Sequence, residues 1–139
     1  MTRGDVESDV RMTLGTSLAP LDRVPDEFVA AEWDLLKGLH FGETIIPNRY
    51  KELIGLAVAA VTRCPYGVAL HTEGARLHGA SEGEIAEAVH YAKLAVGWSV
   101  HLAGLQVDQQ EFVRQVRRAV AFQAGETVAL VADEGEAHE

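Results

Sequence analysis

The 139-residue chain has a single cysteine, Cys64, and only four prolines. A lone cysteine excludes an internal disulfide framework and points to a reducing compartment. Basic charge is also scarce. Lys and Arg number 12 against 21 Asp and Glu, for a formal net charge of −9. That balance disfavours nucleic acid and anionic membranes as partners. The longest apolar run, Leu53 to Val61, is far too short to span a bilayer. The first residues, MTRGDVESDV, are too polar for a signal peptide. No alternation long enough for a strand occurs outside Thr127 to Val131, and no repeat has a fixed period. These absences leave a cytoplasmic, all-α protein.

The apolar fraction of 47% is ordinary for a globular chain, and the length fits one domain with a real core. Charge is unevenly spread. Glu126, Asp133, Glu134, Glu136 and Glu139 close the chain with no Lys or Arg among them, which leaves about −4 on the rest. The expected organisation is one helical domain over 1–125, with its core in 25–123, and an acidic, mobile tail over 126–139.

Three of the prolines mark helix starts. Pro25, followed by Asp26 and Glu27, opens a helix to about His40, with Phe28, Trp33, Leu35, Leu36 and Leu39 at roughly helical spacing. Pro47 opens a second helix to about Val61 whose centre is apolar all round, so it should be buried on most sides. Pro65 opens a third, to about His78, closed by Gly79. Ser81 and Glu84 form a capping box for a fourth, which ends or kinks at Gly97. Trp98 to Leu105 and Asp108 to Gln123 continue as helix, and Asp9 to Leu14 makes a short one near the start. Residues 1–8 read as frayed and Thr16 to Val24 as a loop. Five or six helices are expected in all.

Chemistry concentrates between Glu52 and His71. With Pro65 as the first helical residue, Cys64 is the N-cap, where the free N–H groups of the first turn stabilise a thiolate. Positions 64, 67 and 71 share one helical stripe, and Gly67 leaves its middle point without a side chain. Glycine inside a helix costs about 1 kcal/mol against alanine, and nothing in the sequence explains it. Glu52 lies on the preceding helix among core residues, and a partly buried carboxylate there could exchange protons. Each group has a plainer reading: Cys64 as a small buried side chain, Glu52 as a solvated helix acid, His71 as a core hydrogen-bonder. The Glu87-x-x-His90 spacing of di-iron bundles occurs once, without the second copy such sites need. No metal or cofactor is expected.

From Lys51 to Gln106 the chain resembles the alkylhydroperoxidase D (AhpD)-like group of the carboxymuconolactone decarboxylase superfamily. KELIGLAVAA, CPYGVALHTEGARLHGAS and EIAEAVHYAKLAVGW carry the likeness, in that order. The resemblance implies an AhpD-like helical subunit that assembles as a homo-oligomer: a dimer, trimer or hexamer. It implies peroxide reduction by a Cys-x-x-Cys pair with a Glu and a His relaying protons. Carried over by position, Glu52 matches the relay acid, Cys64 the first cysteine and His71 the motif histidine, while Gly67 stands where the second cysteine belongs. Three outcomes follow. The favoured one is that Cys64 acts alone as a peroxiredoxin-like, antioxidant thiol with an external thiol reductant; the alternatives are that Glu52 and His71 do acid–base work on a small carboxylic acid, as in the decarboxylases, or that the activity is lost and a binding protein remains.

Overall fold

The computed structural model describes residues 1–126, and these form helices and turns. The order is α1 (Arg3–Leu14), α2 (Ala19–Asp22), α3 (Asp26–Leu35), a π-helix (Leu36–Phe41), α4 (Asn48–Thr62), α5 (Pro65–Leu77), α6 (Glu82–Gly104) and α7 (Gln109–Gln123). The all-α class is as expected. Among the described residues no helix is long and apolar enough to cross a membrane.

The chain resolves into two compact units, Met1–Val96 and the part from Gly97 onward. The first contains two apolar clusters. Val6, Val10, Leu21, Val29 and Trp33 form one, joining α1, α2 and α3. Leu56, Ala75, Ala80 and Ile85 form the other around α4 and α5. Trp33 is fully buried, and its indole N–H donates to Asp9 at 2.7 Å, which also receives Lys37. In the second unit α7 carries no buried residue. Phe112, Val116 and Val120 stay 39%, 43% and 59% exposed along one stripe.

The seven α-helices among the described residues exceed the five or six expected, and each difference has a local cause. Helix α1 begins at Arg3 rather than Asp9, because Thr2 and Asp5 form a capping box and Val6 and Val10 are buried. Helix α2 occupies what reads as a loop, with Pro20 in its first turn and Leu21 buried. Gly97 neither ends nor caps a helix, and α6 runs on to Gly104. Pro25 and Pro47 sit at the N-cap, one residue before the first helical position, whereas Pro65 is a first-turn residue as expected. The strand candidate Thr127–Val131 and almost all of the acidic tail lie outside the described residues.

The element that positions the site is the antiparallel pair α4–α5. Arg63 turns the chain in the left-handed region (φ 55°), its N–H satisfying the carbonyls of Ala59 and Ala60. The register follows from three close approaches. A β-carbon on Gly74 would lie 2.5 Å from the Glu52 carboxyl carbon; on Gly55, 2.4 Å from the His71 ring; on Gly67, 2.8 Å from the Ala59 β-carbon. Residues 52 and 74, 55 and 71, and 59 and 67 therefore face each other. Along this seam each glycine makes room for the side chain opposite. Gly67 thus has a structural reason that the sequence hides: the Ala59 methyl occupies the space its side chain would take.

Candidate functional site

Glu52 is the one buried charged side chain among the described residues, at 3% exposure. It is more deeply buried than the sequence implies. Both carboxylate oxygens are engaged. Oε1 lies 2.8 Å from Nε2 of His40, and Oε2 lies 2.8 Å from Nδ1 of His71. With the carboxylate ionised, each contact needs a ring N–H, which sets His40 as the Nε2–H form and His71 as the Nδ1–H form. Two charge-assisted hydrogen bonds replace the water that burial removes from the anion.

Each member comes from a different element. Glu52 stands on α4, with its carboxyl in the notch at Gly74. His71 stands on α5, its ring face against Gly55. His40 belongs to the π-helix that follows α3. Its ring stacks on Phe41 at 4.5 Å and lies 5.2 Å from that of His71. The wider i→i+5 winding breaks the 3.6-residue period. Lys51 pins this segment to α4 by donating to the carbonyls of Leu39 and Gly42, at 2.6 and 2.8 Å. The Glu52 side chain is closed off at 4% exposure, while His40 and His71 keep 16% and 20%. The carboxylate is thus closed off from solvent, while both imidazoles remain in touch with it.

Of the three residues singled out in the sequence, Glu52 and His71 meet directly. Cys64 does not join them. The donor atoms of His40, Glu52 and His71 all lie within 4.8 Å of one another, and Cys64 is not part of that group. The register explains the separation. The thiol lies at the Ala59 end of the seam, seven residues from Glu52 along α4, or roughly 10 Å of helix. Cys64 is the N-cap of α5, as expected, and its sulfur accepts the Gly67 N–H at 3.4 Å. It is partly exposed. Gly67 contributes no side chain between it and His71, and the Ala59 methyl occupies that space.

His40 escapes the sequence reading. It falls at the expected end of the Pro25 helix, and nothing in the local pattern announces a π-helical turn. The available signal is compositional: it is a histidine just before Gly42, near the start of the helix that carries Glu52.

Residues 25–110 match the model of the carboxymuconolactone decarboxylase family, a span that holds His40, Glu52, Cys64 and His71. The chain is similar to uncharacterized protein 4 in the cox locus of Paracoccus denitrificans, at 38% identity over 69 residues. That match covers 50% of this chain and 58% of the relative's length. Among solved structures, the alkylhydroperoxidase AhpD core of Rhodospirillum rubrum superposes with a TM-score of 0.62 at 24% identity, over 79% of this chain and 85% of that one.

Proposed function

The chain belongs to the carboxymuconolactone decarboxylase family, and from that premise we propose that it is an acid–base enzyme acting on a small carboxylic or lactone substrate. Its working centre is the His40–Glu52–His71 relay. The observation that carries this reading is the buried Glu52 carboxylate held at 2.8 Å by an imidazole on each side. Each ring donates one N–H to Glu52, so the other nitrogens, His40 Nδ1 and His71 Nε2, are the atoms left to exchange a proton with a substrate. One ring takes a proton from the substrate as the other returns one, and Glu52 orients both and balances the imidazolium that forms. A relay of this kind contributes on the order of 10² to 10⁴ in rate. Burial of Glu52 keeps bulk water off the carboxylate, which strengthens both hydrogen bonds to it.

The test is a panel of small lactones and carboxylic acids, followed by loss of substrate or release of carbon dioxide, run beside an alkyl hydroperoxide with dithiothreitol. Turnover of a panel member that survives thiol alkylation supports the reading. Activity confined to the hydroperoxide, and abolished by alkylation, sinks it.

A second reading rests on a separate observation, the Gly67 N–H aimed at the Cys64 sulfur. In this reading the chain is a single-cysteine, peroxiredoxin-like oxidoreductase. The Cys64 thiolate attacks the distal peroxide oxygen, the O–O bond breaks, and an alcohol leaves as the sulfur becomes a sulfenic acid. One external thiol then forms a mixed disulfide and releases water, and a second restores Cys64. The roughly 10 Å of helix between thiol and relay is what ranks this reading second.

Either activity belongs to an assembly of several copies. The stripe of Phe112, Val116 and Val120, exposed on a helix with no buried residue, supports self-association.

A further inference from the structure

We infer that the His40, Glu52 and His71 donors form a binding site for a divalent transition-metal ion of the Zn²⁺ class. This runs against the sequence expectation of no metal, and it involves none of the Glu87-x-x-His90 spacing considered there. It rests on donor geometry; a bound ion would take up the atoms the relay uses and block the reaction proposed above, so binding is read by titration and turnover on the metal-free chain.

The donor set is two imidazole nitrogens and one carboxylate, the combination that zinc and other borderline first-row ions take. The atoms all lie within 4.8 Å of one another, and each nitrogen is 2.8 Å from its carboxylate oxygen. Neighbouring ligands around an ion with bonds of about 2.1 Å are about 3.0–3.4 Å apart. The nitrogen–oxygen pairs therefore need to open by only a few tenths of an ångström. Because the two oxygens face different rings, the carboxylate can chelate through both. Three residues then supply four donor atoms, and a position remains open on the side where the imidazoles meet solvent.

Protons balance without a leaving group. A neutral His40 moves its proton from Nε2 to Nδ1, and a neutral His71 from Nδ1 to Nε2. Each ring then turns a lone pair to the ion, while the local charge goes from −1 to +1. Gly74 and Gly55 give backbone walls behind Glu52 and His71, and Lys51 ties the His40 segment down. The ligands come from three elements, so an ion would cross-link α4, α5 and the π-helix. Cys64 lies outside the cluster, and an ion here would show no thiolate bond.

The experiment uses the full chain, stripped with chelator and titrated with Zn²⁺ by calorimetry and with Co²⁺ by visible absorption. The expected result is one ion per chain, with Co²⁺ bands at visible wavelengths but no sulfur charge-transfer band, and a higher thermal midpoint with Zn²⁺. His40→Ala, His71→Ala and Glu52→Gln each should weaken binding about 10-fold or more, since each removes a direct ligand. Circular dichroism establishes that each variant is folded. His40→Ala is the variant that keeps the test sharp if Glu52→Gln does not fold, because the His40 ring is partly exposed. The exposed His78 and His90 serve as controls, and their alanine variants should bind as the wild type does. Absence of stoichiometric binding overturns the inference. So does a thiolate band, or binding that follows His78 or His90 instead of the cluster.

Discussion

The imidazole of His71 lies face-on against Gly55, so that a β-carbon there would meet three ring atoms at 2.4–2.6 Å. This approach lets α5 sit close enough to α4 for His71 Nδ1 to reach Glu52. Gly55→Ala therefore pits two effects against each other. Alanine gains about 1 kcal/mol of helix propensity, but it forces His71 off its position, and overpacking of this kind costs about 1–3 kcal/mol. The expected outcome is a lower thermal midpoint and a His71 detached from Glu52, seen as changed imidazole nitrogen shifts by NMR. A more stable protein with unchanged shifts would show that the approach is not a constraint.

Gly67 faces Ala59 in the same register. A cysteine introduced there would place its β-carbon 3.7 Å from the Cys64 sulfur but 2.8 Å from the Ala59 β-carbon. Gly67→Cys alone should lower stability and cross-link poorly with Cys64. Adding Ala59→Gly removes the obstruction, and the double variant should form a disulfide between Cys64 and the introduced thiol under mild oxidant. Thiol titration and mass spectrometry measure both. Equal cross-linking with and without Ala59→Gly would contradict the register.

Asp9 should give the first unit an acid-sensitive support. Hydrogen bonds from Lys37, then Trp33, hold its carboxyl below the ordinary aspartate value of 3.8. A lowered folded-state value means the contribution is present above that ordinary value and is lost as pH falls through the lower one. Thermal midpoints of wild type and Asp9→Asn should differ at pH 6 and converge as pH drops below about 4. A gap that persists to pH 2 would assign the difference to shape rather than charge.

The exposed stripe on α7 should be an interface between copies. Val116→Asp, in the middle of that stripe, should reduce the subunit count seen by native mass spectrometry and leave helix content unchanged. An unchanged assembly would place the interface elsewhere.

Much of this architecture is legible in the sequence because local signals and burial agree there. Pro65 after Cys64, the turn near Arg63 and the Ser81–Glu84 capping box all sit where the chain chemistry puts them. Glu52 and His71 are readable because each lies within a long helix whose partner is fixed by a tight turn. The misses are of two kinds. Helix α1 has its signal in Thr2-x-x-Asp5, which a default expectation of frayed ends overrides. His40 and the reason for Gly67 have no local signal. One depends on a change of helical winding, and the other on a methyl group eight positions earlier that meets it only after α4 and α5 pair.

The proposed reaction runs through the Glu52 relay and not through Cys64. The most direct test is the turnover of wild type, Glu52→Gln and Cys64→Ala on the substrate the panel identifies, with all three shown to be folded. The relay account predicts that Glu52→Gln falls about 100-fold or more while Cys64→Ala stays within about 2-fold of wild type. Loss of activity in Cys64→Ala with Glu52→Gln still active would contradict it.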